Sequence, residues 1–164
     1  MNAIEAIQQT AAASDMVLNA YLADLEDADL LHRPHPECNH IAWQLGHLIG
    51  AECMLLNLLK PGAAPELPEG FAARHSKETA ADDEAAHFHT KQEYTELYQQ
   101  VRAATHEALK TVTEAELDAV NPKEEMRQMF PTVGAMYVLT ATHPMMHVGQ
   151  WSPVRRTLGK PIAI

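Results

Sequence analysis

Residues 39–59 read NHIAWQLGHLIGAECMLLNLL, a segment that is apolar on most sides when it is placed on a helix. Asn39 is a residue type that caps helices, so we expect a helix from about Asn39 to Leu59. A helix with so wide an apolar surface has to be covered by other elements. The segment therefore favours a fold in which several helices pack together.

Apolar residues also recur at helical spacing in three further segments, whereas no segment alternates strictly as a strand would. The predicted helices run from Ile4 to about Glu26, from the capping-box sequence Thr90-Lys91-Gln92-Glu93 onward, and from Pro131-Thr132 toward Leu158. Residues 60–89 hold several prolines and glycines, which predicts a long connection between the second and third helices. We expect an all-α four-helix bundle, and 164 residues suit a single domain over residues 1–164.

The composition excludes several classes of function. A formal net charge of −10 and the lack of a Lys/Arg cluster argue against nucleic acid as a partner. No apolar run approaches the ~20 residues of a membrane span, and the first residues do not resemble a signal peptide. Cys38 and Cys53 lack C-x-x-C spacing and predict no disulfide framework. We expect a cytoplasmic protein with no membrane partner.

Three histidines fall on helix faces that should point inward. His143 and His147 are four residues apart in the fourth helix and belong to its apolar stripe. Residues at this spacing have Cβ atoms ~5–6 Å apart, so both rings can reach one ion. In the second helix, His47 is followed at i+4 by Ala51 and preceded at i−4 by Trp43, again an inward stripe.

Each histidine alone is compatible with a core or surface residue whose ring bonds a backbone carbonyl. The three together favour a metal, because buried titratable groups are costly unless they are coordinated or hydrogen-bonded. We therefore predict that His47, His143 and His147 bind one divalent transition metal ion, zinc or nickel. Three nitrogen ligands leave a position for water or substrate, as in catalytic sites.

Other residues offer weaker alternatives. His32, His35, Cys38 and His40 have the spacing of a zinc knuckle, but no second module accompanies them. The prolines in that segment favour an exposed loop instead. Glu52 is expected to form a surface or interhelical ion pair.

Three further positions carry smaller predictions. His75 and His106 show no partners in the sequence. Pro144 directly follows a proposed ligand and lacks the N–H that would bond the Thr140 carbonyl, which predicts a kink or bulge in the fourth helix.

The segment Asn39-His40-Ile41-Ala42-Trp43-Gln44-Leu45-Gly46-His47-Leu48 resembles the second-helix signature of the DinB-like superfamily. The resemblance extends to His147-Val148-Gly149-Gln150, which is followed by Arg155, Arg156, Leu158 and Gly159. That family is a helical bundle with one histidine from the second helix and an H-x-x-x-H pair from the last. These map to His47, His143 and His147.

The resemblance implies a function as well as a fold. In related families the metal activates a low-molecular-weight thiol, such as bacillithiol, mycothiol or glutathione, for transfer to an electrophile or for isomerising maleylpyruvate. The first hypothesis is therefore a metal-dependent thiol S-transferase. A hydrolase that uses a metal-bound water and a non-catalytic metal-binding stress-response module are the alternatives. The resemblance also implies a homodimer formed through bundle faces, although the apolar surface of the second helix could equally be buried within one chain.

Overall fold

The computed structural model describes residues 1–164, and it confirms the predicted all-helical bundle. Six α-helices follow one another along the chain: α1 (Ala3–Leu22), α2 (Ile41–Leu59), α3 (Phe71–Arg74), α4 (Lys91–Thr111), α5 (Glu114–Leu117) and α6 (Val133–Thr157). The four long helices α1, α2, α4 and α6 form the bundle. None of the helices combines the length and the apolar character that a membrane-spanning segment requires.

Local capping signals decide where the helices begin. At the start of α4, the Thr90 side chain accepts the Glu93 N–H and the Glu93 side chain accepts the Thr90 N–H, which confirms the predicted capping box. The cap of α2 differs from the prediction. His40, not Asn39, is the capping residue, and its Nδ1 accepts the backbone N–H of Trp43 at 3.1 Å.

The two helices that carry the candidate ligands are neighbours in the bundle. Helix α2 packs against both α4 and α6, while α1 lies along α6. Leu45 and Ile49 of α2 share one apolar core with Trp151 of α6, and all three are completely buried. The burial of these side chains holds α2 and α6 together and turns their histidine-bearing faces toward each other.

The long connection after α2 folds back over that helix. His75, just after α3, is buried: its Nδ1 donates to the Phe71 carbonyl at 2.8 Å, and its Nε2 lies 2.7 Å from the Tyr94 hydroxyl. The prediction that His75 has no partner is therefore wrong. Its ring lies where a Cβ on Gly46 would be, so only glycine fits at that position of α2. The connection thus rests directly on the turn that carries His47.

Helix α6 is α-helical from Val133 to Thr157, so the predicted alternative of a bulge at Pro144 is wrong, while the alternative of a kink stays a prediction. Proline has no N–H to donate to the Thr140 carbonyl. That carbonyl instead accepts a hydrogen bond from the Nη1–H of Arg102, with 3.2 Å between nitrogen and oxygen. The same guanidinium pairs with Glu52, which confirms the predicted interhelical ion pair.

Candidate metal centre

The structure brings the three predicted histidines together between α2 and α6. His47, His143 and His147 each offer one ring nitrogen, and these nitrogens all lie within 4.8 Å of one another. The Nε2 atoms of His143 and His147 are 3.2 Å apart, as expected for residues one helical turn apart that aim at a common point. This is the single cluster of three or more potential ligands in the chain.

The donor set fits a divalent transition metal. Two nitrogens that are each ~2.0–2.1 Å from one tetrahedral zinc ion are about 3.4 Å apart, close to the 3.2 Å between His143 and His147. Imidazole is a ligand that suits zinc, nickel and copper. Because the cluster holds three histidines, a tetrahedral ion would keep one position free.

Gln44 fixes the tautomer of His147. The Trp151 Nε1–H donates to the Gln44 Oε1 at 3.0 Å, and the Gln44 Nε2 donates to the Asn39 carbonyl at 2.7 Å, which together set the orientation of the amide. The Gln44 Oε1 can then only accept from the His147 Nδ1, which lies 3.0 Å away. His147 therefore carries its proton on Nδ1, and its Nε2 lone pair faces the other two histidines.

The sequence motif of α2 contains Gln44 but does not by itself indicate this role. The available signal was its position three residues before His47, on the same side of α2. Hydrogen bonds of this kind to the second ring nitrogen commonly orient metal-binding histidines.

Packing against an indole orients His47. The rings of Trp43 and His47 are stacked, with centroids 5.2 Å apart and planes 5° from parallel. Trp43 is itself fixed, since its Nε1–H donates to the Ser76 carbonyl at 3.0 Å. The connection after α2 therefore helps to hold His47 in place.

Burial keeps the three rings neutral. It lowers the pKa of His143 to about 4, with a smaller contribution from His47. Burial, followed by the charges of the other two rings, lowers the pKa of His147 to about 3. Burial and then the charge of Lys77 lower the pKa of His47. Neutral imidazole is the form that binds a metal, so all three rings are ready to bind one near pH 7.

A cavity of about 400 Å³ adjoins His47 and is within the range of small-molecule sites. Residues of α2 form one wall of the cavity, and the connection after α2 forms the other, where Lys77 supplies a positive charge. The lining residues are Gly46, His47, Gly50, Ala51, Met54, Ala72, His75, Ser76 and Lys77. No carboxylate lines this cavity.

The alternative zinc-knuckle segment does not form a metal cluster. His32 lies 2.8 Å from the Thr157 hydroxyl, and His40 is the buried cap of α2. His35 and Cys38 are exposed. His106, for which no partner was expected, lies 2.9 Å from the Asp15 carboxylate, so that expectation is wrong.

This fold and site define a class of protein: a helical bundle in which three histidines meet between the second and the last long helix. The sequence profile of the DinB superfamily matches residues 10–151, and the chain belongs to that superfamily.

The fold is also similar to a crystal structure described as a conserved protein from Enterococcus faecalis. The two chains share 18% identity with a TM-score of 0.72, and the alignment covers 98% of this chain and 99% of the other. No curated protein matches the sequence.

Proposed function

We propose that the protein is an enzyme that uses a divalent transition metal, zinc or nickel, to transfer a low-molecular-weight thiol to an electrophile. The observation that carries the proposal is the convergence of His47, His143 and His147, whose ligand nitrogens lie within 4.8 Å of one another. These three residues would hold the ion. A bound divalent ion supplies positive charge that favours the thiolate form of a thiol, which is its nucleophilic form.

The residues around the cluster are sufficient for the transfer of a thiol. In the transfer, the thiol loses its proton to solvent, its sulfur forms a bond to an electrophilic carbon, and the leaving group departs with the electron pair of the broken bond. The ordinary pKa of a thiol, ~8.5, is close enough to neutrality that no protein base is essential. No carboxylate lines the cavity next to His47, so a hydrolase at this site would depend on the metal-bound water alone.

The chain's own residues would orient the reactants. The hydrogen bond from His147 to Gln44 holds one ligand ring, and the stack on Trp43 holds another. The cavity beside His47 gives room for a small substrate, and the Lys77 ammonium in its wall would attract an acidic group on that substrate.

Metal binding is tested first by elemental analysis and by zinc and nickel titration of the purified protein. We expect one ion per chain, and we expect His47→Ala, His143→Ala and His147→Ala each to lose most of the affinity. His35→Ala is the matched control, because that imidazole is exposed and lies outside the cluster. Unchanged stoichiometry in all three cluster variants contradicts the proposed site.

Catalysis is tested with the metal-loaded protein, glutathione, mycothiol or bacillithiol, and the alkylating reagent monobromobimane. Conjugate formation should require both the metal and the three histidines. If the protein binds metal but accelerates conjugation with none of the thiols, the transferase proposal is wrong. Metal-dependent ester hydrolysis in the same preparation would then favour a hydrolase, and its absence a non-catalytic metal-binding protein.

A further inference from the structure

Arg102 of α4 lies at the centre of the bundle and is only 3% exposed. Its Nη1 contacts both Glu52 carboxylate oxygens, at 3.0 and 3.1 Å, and its Nε donates to the Asp15 carboxylate at 2.7 Å. Two backbone carbonyls, those of Thr140 and Ala11, also accept from it, each at 3.2 Å. One guanidinium therefore bonds to α1, α2 and α6 simultaneously.

Two of these contacts lie close to the candidate ligands along the chain. Glu52 is on α2, five residues after His47, and Thr140 is on α6, three residues before His143. The planar guanidinium donates in fixed directions, so it sets the separation between the two helices at this level. Any change in that separation would move His47 relative to His143.

The contact to Thr140 also takes the place of a hydrogen bond that α6 cannot make. Because Pro144 has no N–H, the Thr140 carbonyl lacks its helical donor, and Arg102 supplies one from another helix. The next carbonyl, that of Ala141, accepts the hydroxyl of the fully buried Ser14 of α1 at 2.5 Å. Arg102 of α4 and Ser14 of α1 thus hold the helical turn that carries His143.

We propose that Arg102 and Ser14 are positioning residues for the metal ligand His143. This inference rests on the proposed metal centre, and it gives the buried network a role beyond stability. A network that served stability alone would also be costly to disrupt, because it would leave carboxylates buried without a partner. The two roles differ in one respect. If the network positions His143, its loss weakens metal binding, whereas loss of a network that serves stability alone does not do so specifically.

The test compares Arg102→Lys with Arg155→Lys as a matched control. Arg155 is equally buried and also pairs with a carboxylate and a carbonyl, those of Asp24 and Tyr21, but it lies on α6 eight residues beyond His147. Lysine keeps the charge in both variants but cannot reproduce the fork of donors. The measurements are the melting temperature, the zinc dissociation constant by competition with a chelator, and the visible absorption spectrum of the cobalt-substituted protein.

We expect both variants to melt at lower temperature, but only Arg102→Lys to bind zinc about 10–100-fold more weakly and to show an altered cobalt spectrum. Ser14→Ala, a smaller change, should weaken zinc binding in the same direction and provides the test if Arg102→Lys does not fold. Equal zinc affinity and equal spectra in Ser14→Ala and wild type overturn the inference, as does equal weakening in the two lysine variants. Failure of the wild-type protein itself to bind metal would instead overturn the proposed function.

Discussion

Replacing Gln44 by methionine removes every polar atom of a side chain that is itself 1% exposed, while nearly preserving its length. Three groups then lose their hydrogen-bond partner: the His147 Nδ1–H, the Trp151 Nε1–H and the Asn39 carbonyl. A buried polar group left unsatisfied costs about 1–3 kcal/mol. Only the two ring N–H groups lie in fully buried hydrogen bonds, because the bond to the Asn39 carbonyl is partly exposed. We therefore expect the free energy of unfolding of the metal-free protein to fall by about 2 kcal/mol or more, a large share of the stability of a small protein.

Metal affinity should fall as well, for a separate reason. Without the Gln44 oxygen, nothing holds the His147 ring with its proton on Nδ1 and its Nε2 lone pair facing the cluster. The loss of such an outer partner typically reduces metal affinity about 10–100-fold. Zinc affinity is measured by competition with a chromophoric chelator, and stability by urea unfolding of the metal-free protein.

Gln44→Glu separates the two effects. A carboxylate can still accept from both ring N–H groups, but it cannot donate to the Asn39 carbonyl. We expect this variant to be destabilised and yet to bind zinc within a few-fold of wild type. If the methionine variant binds zinc as tightly as wild type, or the glutamate variant as weakly as the methionine variant, the role assigned to Gln44 is refuted.

The packing and the protonation of the site give three further predictions. Gly46→Ala should lower the free energy of unfolding by about 1–3 kcal/mol, because the new methyl group overlaps the His75 ring. The measurement is urea unfolding, and the control is Gly50→Ala, whose Cβ would make only ordinary contacts. Zinc affinity should fall by no more than about tenfold between pH 7.5 and 5.5, whereas three histidines of ordinary pKa would lose about a thousandfold. The metal-free protein should lose stability as the pH falls below about 6.5. In the unfolded chain the histidines bind protons at that pH, whereas in the folded protein the pKa values of His143 and His147 are about 4 and about 3. Protons therefore favour the unfolded chain over this range of pH. A pH-independent urea midpoint between pH 7 and 5 would contradict this last prediction.

Features that depend on neighbouring residues could be predicted from the sequence, and those that depend on distant residues could not. The capping box of Thr90 and Glu93 is formed within four residues, so its sequence alone indicated the start of α4. His40 replaces Asn39 as the cap of α2 with help from outside the helix, because its second ring nitrogen bonds the Asp82 carbonyl at 3.0 Å. No local pattern indicates a partner 42 residues away.

The same distinction applies to the histidines. Helical periodicity placed His143 and His147 on one face and gave His47 an inward position, so the candidate ligands could be named from the sequence. His75 offered no such pattern, since its partners Phe71 and Tyr94 come from a short helix in an irregular connection and from a different long helix. Its role became evident only from the tertiary contacts.

The sequence by itself determined the all-helical bundle and the three candidate ligands, because hydrophobic periodicity and residue spacing are properties of each helix taken alone. Only the tertiary structure decided that His47 faces the pair on α6, that Gln44 sets the tautomer of His147, and that Arg102 compensates for Pro144. These features depend on the relative placement of helices far apart in the chain. That placement is set by the packing of whole side-chain surfaces in the common core.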